Sequence, residues 1–490
     1  MAIPHTSIRP KNNNPFAPRR YGELQQVTER VYILRNITNS SFVVGDRSVA
    51  VIDTQVNAPS AEELLRLVRS VTDKPVEFVI NTHYHWDHTN GNALFKREGA
   101  TIVSSKLTKK FMIDRAPRQK EFLAGRGFEL GADPFLPETT FEGEMRLDLG
   151  GTPLRLFFAG SAETDDATAV QVVNENVIMS GDTVMTGSFP IFGQPVWDEG
   201  LQDEQWIRAI EKLNSLDPAH IVPGHGPLAH RSETELLIRI QHYFLDEVSA
   251  RVNRGMELAA LLEDLENKLP SWITQIPLVW GTPRYAILRV YRALTKKGSD
   301  REPGWQQLKP SAIPSAKTAS VVSKAETLGS FLSMAHEAEE GGDSGLKLSI
   351  LKKAVQLFPE SPEALAHYAD ALIEASRREA SVLEKGDYFQ EARRAWDKAL
   401  EIEPAHLLSL LGKGRYLTLM AYRGGDDPRG GMKILRQVID FSSGGRLQAE
   451  AEFYLGMGYR RLADESKAND QFQKALRLDP SFVPAMLAAQ

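Results

Sequence analysis

The stretch Ile80-Asn81-Thr82-His83-Tyr84-His85-Trp86-Asp87-His88-Thr89-Asn90-Gly91-Asn92 places three histidines and an aspartate within six positions. Just before it, the apolar run Val76-Glu77-Phe78-Val79-Ile80 reads as a short buried strand. His83 and His85 are two residues apart, so a continuing strand would send both imidazoles from one face. Asp87 and His88 then fall on the turn after the strand, where the chain can fold a second pair of donors back toward the first. One divalent ion could take His83 and His85, and a second Asp87 and His88. Imidazole with carboxylate suits zinc first and, less exclusively, iron or manganese. The plainer alternative is a histidine-rich loop without metal, or isolated core histidines. Four donors in this order at a strand end argue against it.

The surrounding sequence supplies strands and further donors. Val27 to Leu34 and Ser41 to Val44 alternate apolar and polar as half-buried strands do, and Ser48 to Thr54 is a mostly apolar run containing the carboxylate of Asp53. Glu62 to Val71 has helical spacing in Leu64, Leu65 and Val68, and a strand–helix–strand order implies a helix packed on a sheet face. Asp53 either accepts from the donors around the metal site or caps the following turn. Leu154 to Val170 reads as strand, acidic turn (Ala162-Glu163-Thr164-Asp165-Asp166) and strand. Asn176 to Thr183 delivers Asp182 after Gly181, again at the end of a buried run. His220 to Pro227 sets His225 between Gly224 and Gly226, which let the backbone approach a site closely and adopt positive φ. Donors drawn from separated strand ends suit a preformed site on a rigid sheet. The other histidines, His5, His220, His230, His242, His336, His367 and His406, lack ligand spacing, with His220 and His230 kept open beside the last motif. Tyr84 and Trp86 read as packing residues, Trp86 alternatively as a wall of the cleft. Lys106 to Arg126 holds seven basic and two acidic residues. It reads as a solvated helix face, or else as charge above the site favouring an anionic small-molecule substrate.

Composition removes several alternatives. At 490 residues the chain exceeds one core, and about three structural units is the expectation. A net charge of −6 lacks the basic excess of a nucleic-acid binder. The absence of cysteine excludes disulfides, thiolate metal sites, iron–sulfur clusters and a cysteine nucleophile. Met1 to Arg20 reads as a flexible N-terminus without the apolar core of a secretory signal, and no apolar stretch has the length of a membrane span, so a cytoplasmic location is expected.

In order, His83-x-His85-x-Asp87-His88, Gly181-Asp182 and Pro223-Gly224-His225-Gly226, with Asp53 upstream, resemble the metallo-β-lactamase superfamily over roughly residues 25–232. The resemblance implies an α+β fold, an αββα sandwich with a two-metal site at one edge of the paired sheets. It implies one ion on His83, His85 and the donor of the 160–166 turn, and a second on Asp87, His88 and His225, with Asp182 bridging both. Many members have histidine in that turn, where this chain has Glu163. A glutamate there is similar to the linear alkylsulfatase branch, as is the helical segment from Ile240 to Arg292. Those enzymes, however, carry glutamate where this chain has Asp182. Gly181 to Val184 followed by Ser188 to Gly193 looks more like the general hydrolase branch. Asp165 or Asp166 stands as the alternative donor if Glu163 points away. Two divalent ions about 3.5–4 Å apart would hold a bridging water as hydroxide near pH 7, with Asp87 orienting it.

The second half reads as helical. Ser232-Glu233-Thr234-Glu235 has the form of a capping box, and Leu237, Ile240, Phe244 and Val248 recur at helical spacing. Gly298 to Lys324 is rich in Gly, Pro and Ser, the composition of a linker. Beyond it, similar amphipathic segments end at Pro359, Pro404, Ser442 and Pro480, at spacings of 45, 38 and 38 residues. These exceed the 34-residue tetratricopeptide period by short insertions. The last unit fits best, with Tyr454 to Tyr459 followed by Ala468, Phe472, Ala475 and Pro480. The expected organisation is therefore a flexible N-terminus (1–20), a hydrolase domain (21–232), a helical extension (233–297), a linker (298–325) and tetratricopeptide-like repeats (326–490). The repeats would hold a protein partner, build a self-association surface or pack on the hydrolase. The expected activity is hydrolysis of an ester-type substrate, an alkyl sulfate among the candidates, by a metal-bridging hydroxide. The alternative is a hydrolase-fold scaffold of reduced activity whose helical repeats bind a partner.

Overall fold

The computed structural model describes residues 23–124, 134–192, 204–274, 276, 281–295, 327–341, 343–376, 382–424, 427–462, 464–482 and 484–485. The expected flexible N-terminus and linker lie outside them. Seven strands form the first sheet in chain order: β1 (Glu23–Gln26), β2 (Val31–Arg35), β3 (Ser40–Val44), β4 (Val49–Ile52), β5 (Val76–Ile80), β6 (Thr101–Ser105) and β7 (Thr139–Phe141). Pairing is antiparallel from β1 to β4 and parallel from β4 to β7. A second sheet, ordered β12-β11-β10-β9-β8, contains β8 (Glu144–Asp148), β9 (Pro153–Gly160), β10 (Ala167–Val172), β11 (Val177–Met185) and β12 (His220–His225).

The two-residue period of a strand sorts its side chains between layers. In β4, Ala50 and Ile52 join Leu156, Val170 and Met179 of the second sheet, forming the core between the sheets. Val49 and Val51 face the other way, against Leu64 and Val68 of the helix Ala58–Val71. That helix begins four residues before the apolar spacing suggests, because the Asn57 side chain accepts from Ser60 N and Pro59 suits the first turn. On the far side, Phe157, Ala169 and Ile178 pack against Trp206, Ile210 and Phe244 from helices. The result is the expected αββα sandwich.

Other local details differ from the sequence reading. The alternating run from Val27 to Leu34 is not one strand: Val27 N donates to Val31 O across a tight turn, and β1 pairs back on β2. Strands β6, β7 and β8 escaped it because they are short or, like the edge strand Glu-Met-Arg-Leu-Asp of β8, largely charged and solvent-facing. The long helix Arg231–Val252 starts one residue before Ser232, where His230 N donates to Glu233 Oε2 at 2.9 Å. Glu233 serves the helix start two positions upstream of the expected capping residue.

After the helices Leu258–Glu266, Ser271–Thr274 and Pro283–Thr295, the described chain is helical throughout: Leu328–Glu340, Ser344–Leu357, Pro362–Ala375, Val382–Ile402, Leu407–Gly424, Arg429–Phe441, Gly445–Arg461 and Glu465–Leu478. Each packs on the next, while Pro362–Ala375 also meets Leu407–Gly424, and the latter meets Gly445–Arg461. This alternation suits a stacked two-helix repeat. The four similar segments noted in the sequence close Ser344–Leu357, Val382–Ile402, Arg429–Phe441 and Glu465–Leu478. No described helix is long and apolar enough to cross a membrane. Leu156, fully buried between the sheets, anchors the core, so Leu156→Ala is expected to cost about 2–5 kcal/mol in urea unfolding. A loss below about 1 kcal/mol would show that the inter-sheet core is not closely packed there.

Candidate metal centre

Strand β5 stops at Ile80, and residues 81–85 turn before the short helix Trp86–Thr89. Strand geometry therefore does not extend to His83 and His85. The turn itself brings them together, with ring centroids 4.8 Å apart. The following helical turn carries Asp87 and His88. Three further segments at the same edge of the sandwich, the turn after β9, strand β11 and the end of β12, complete two groups of donors. His83, His85, Glu163 and Asp182 form one; Asp87, His88 and His225 form the other. In each group the donor atoms lie within 4.8 Å of one another. Asp182 touches both: its Oδ2 is 3.8 Å from His83 Nε2 and 3.3 Å from His225 Nε2, and its Oδ1 is 3.4 Å from His88 Nε2. His85 Nδ1 stands 3.3 Å from Glu163 Oε2, and Asp87 Oδ2 is 3.4 Å from His225 Nε2.

Three imidazoles are oriented from behind. His88 Nδ1 lies 2.8 Å from Asp53 Oδ2, which also accepts from Thr82 Oγ1 at 2.7 Å, while Asp53 Oδ1 accepts from Thr82 N. Thr82 Oγ1, having donated to Asp53, accepts from His83 Nδ1 at 3.1 Å. His225 Nδ1 donates to the Ile37 carbonyl at 2.6 Å. These partners assign the proton to Nδ1 in each ring and aim the Nε2 lone pairs inward, as a metal requires. Asp53 is thus an acceptor behind the site rather than a turn cap. It reaches that position with φ 61°, in the left-handed region that costs a non-glycine residue energy.

The interior of the cluster fits a divalent ion in chemistry as well as in shape. His83 Nε2, His88 Nε2 and Asp182 Oδ1 are buried and make no hydrogen bond, and a cation between them would give all three a partner. Without a cation, the cluster balances its charge with protons. Burial opposes a charge on His225, but Asp182 and Asp87 outweigh it and push its pKa up to about 10. Burial likewise opposes a charge on His88, and Asp182, Asp87 and Asp53 raise its pKa well above the ordinary value. Burial and the neighbouring His88 hold His83 well below it.

Glu163 is the acid of its turn that enters the cluster. Asp165 instead pairs with Arg115 at 3.1 Å, and Asp166, although fully buried, belongs to neither donor group. Arg115 is where the basic segment meets the site's surroundings; its guanidinium lies 3.5 Å from the Phe111 ring centroid. Lys106 pairs with exposed Glu142, and Arg126 lies outside the described residues. Tyr84 is fully buried against Phe111. His220 and His230 belong to neither donor group. The two glycines around His225 act differently: Gly226 takes φ 95°, whereas a Cβ on Gly224 would collide with Asp182 Oδ1. The sequence reading missed Thr38, whose Oγ1 donates to Asp87 Oδ2 at 2.8 Å, and Gln55, whose Nε2 donates to Thr38 O. Only the polar run Asn36-Ile37-Thr38-Asn39 between two strands hinted at a working loop.

Loss of the Asp53 carboxylate frees two rings at once. Asp53→Ala is expected to weaken zinc binding by about 10- to 100-fold in competition with a chelator. Unchanged affinity would show that the network behind the rings does not orient them.

Comparison with known proteins places this geometry. Residues 34–225 match the metallo-beta-lactamase superfamily. The alpha subunit of a 2,4-dinitroanisole O-demethylase from Nocardioides sp. is 29% identical over 216 residues, covering 43% of this chain and 60% of the relative. A linear primary-alkylsulfatase from Pseudomonas sp. is 21% identical over 288 residues, covering 51% of this chain and 54% of the relative. The chain therefore spans little more than half the length of these two curated relatives. Among solved structures, a double mutant of the sec-alkyl sulfatase PisA1 superposes with TM-score 0.51 at 16% identity, over 76% of this chain and 65% of that one. That likeness concerns fold and extends beyond the sandwich into the helical half. The chain contains a metallo-β-lactamase superfamily domain, with alkylsulfatases among its relatives, followed by an all-helical region.

Proposed function

We propose that this chain is a binuclear-metal hydrolase of an ester-type substrate, with alkyl sulfates the favoured class. The observation that supports it is the convergence of seven donors in two groups with Asp182 between them. His83, His85 and Glu163 would hold one ion, Asp87, His88 and His225 the other, and Asp182 would bridge. Zinc is the first choice for this oxygen and nitrogen donor set, with iron or manganese permitted by its three carboxylates. Bound there, a pair of divalent ions supplies Lewis acidity and a water ionised near neutral pH.

The chain's own residues supply orientation and charge. Asp87 is the most accessible donor, its side chain 14% exposed against 0–6% for the other six. It therefore borders the side from which water and substrate arrive. Burial opposes its ionisation, but His88 and His225 outweigh that and hold its carboxyl well below the usual range. It stays ionised and accepts a hydrogen bond from the attacking water, while Thr38 Oγ1 fixes its other contact. Before the metal-bound water ionises, three carboxylates facing two divalent ions would leave the cluster with one net positive charge. A histidine in place of Glu163 would add another. The smaller excess still attracts an anionic ester but releases an anionic product more readily. Glu163 and the alkylsulfatase relatives together favour sulfate esters over the lactam named for another relative, a type 2 metallo-beta-lactamase from Bacteroides fragilis that is 23% identical over 214 residues.

Metal analysis of the purified protein should find two ions per chain, and chelation should abolish sulfate release from a medium-chain alkyl sulfate. Glu163→His should retain both ions and lose at least about tenfold in kcat/KM for that substrate, some 1.4 kcal/mol of transition-state stabilisation. Turnover of a lactone, phosphodiester, thioester or aryl ether without turnover of any alkyl sulfate would overturn the substrate class. Two bound ions with no turnover across that panel would overturn the hydrolase reading in favour of a scaffold.

A further inference from the structure

Residues 35–39, the last residue of β2 and its connection to β3, touch two parts of the molecule that the sequence separates by hundreds of residues. On one side is the helical array. Arg35, 2% exposed, donates from Nη1 to the carbonyls of Arg460 and Arg461, each at 3.1 Å. Those carbonyls end the helix Gly445–Arg461, where unsatisfied acceptors and the helix dipole both favour a cation. Ile37, 3% exposed, completes an apolar cluster otherwise built mostly from the array, including Leu410, Phe453 and Met457.

On the other side is the candidate metal centre. The Ile37 carbonyl receives His225 Nδ1 and the Thr38 hydroxyl holds Asp87 Oδ2. Asn39 N donates to Gly224 O, and Asn39 Nδ2 to the carbonyls of Pro223 and Gly226. All these bonds go to the group of Asp87, His88 and His225 or to the strand end that carries it. A second attachment flanks the same strand end: Arg460 Nη1 pairs at 3.1 Å with Glu233, in the first turn of the helix that follows it, and both side chains are largely buried.

We infer that the helical array is a working part of one metal site: by clamping residues 35–39 it positions Asp87 and His225. Arg35 and Ile37 are the positioning residues, acting through the loop rather than on the ion. The inference rests on the two-ion reading above. Its consequence is selective. Loosening the array shifts the Ile37 carbonyl and the Thr38 hydroxyl, which belong to one ion's surroundings. His83 and His85 keep their own turn, and Glu163 keeps its place between β9 and β10.

Zinc titration of the metal-stripped full-length chain, in competition with a chromogenic chelator, tests this. Wild type is expected to take up two ions. Arg35→Ala and Ile37→Ala are each expected to weaken one of them by about tenfold, the low end for residues supporting a ligand, and to leave the other within about twofold. The weakened ion should be the one lost in His225→Ala. Arg460→Ala, which leaves residues 35–39 intact, should weaken the same ion. It also serves, with Ile37→Val, should circular dichroism show that Arg35→Ala fails to fold. Equal weakening of both ions, or folded variants that bind both as wild type does, would overturn the inference while leaving the two-ion reading standing. Wild type that binds fewer than two ions would overturn the two-ion reading and this inference with it.

Discussion

The Asp53 carboxylate, at the end of β4, is the constraint on which the centre depends. It accepts from Thr82 N, Thr82 Oγ1 and His88 Nδ1, and through Thr82 it also sets His83. A buried carboxylate with that many donors is held in one place, so two rings inherit its position. The backbone accepts a left-handed residue there, φ 61°, and another at Gln55, φ 75°. Such conformations persist only where surrounding structure over-determines them. The parallel pairing of β4 with β5 does so, because Asp53 N donates to Ile80 O and locks the two strand ends side by side.

From that anchor the site is assembled by edges of the sandwich rather than by any one segment. The first sheet gives the turn after β5; the second gives the turn after β9, the end of β12 and, within β11, Asp182. Gly224 has to be glycine because Asp182 occupies the space of its side chain. Close approach of β11 and β12 is therefore part of what lets Asp182 meet donors from both groups. The helical array enters the same arrangement from outside, since the loop it holds supplies the acceptor for His225 and the donor for Asp87.

Much of this was legible without coordinates. Spacing and strand-end position singled out His83, His85, Asp87, His88, Asp182 and His225, and every one of them lies in the two groups. The acid at 163 was distinguishable from Asp165 and Asp166 only by resemblance, and in the structure Arg115 takes Asp165 away from the cluster. The expectation that strand alternation pairs His83 with His85 gave the right neighbours for a different reason. The strand stops at Ile80, and a turn, pinned by Asp53, brings the rings together.

What the sequence by itself determined is the layered fold and, Glu163 apart, which residues to weigh as candidate donors, because both are written as short-range patterns: two-residue alternation, helical spacing, glycine beside a histidine. What only the tertiary structure decided is the support. Asp53 behind His88, Thr38 on Asp87, the Ile37 carbonyl on His225 and Arg35 on the last turn of a helix more than four hundred residues away are long-range hydrogen bonds. Such bonds leave no periodic trace, because each depends on how separate elements pack and on backbone conformations that packing alone sustains.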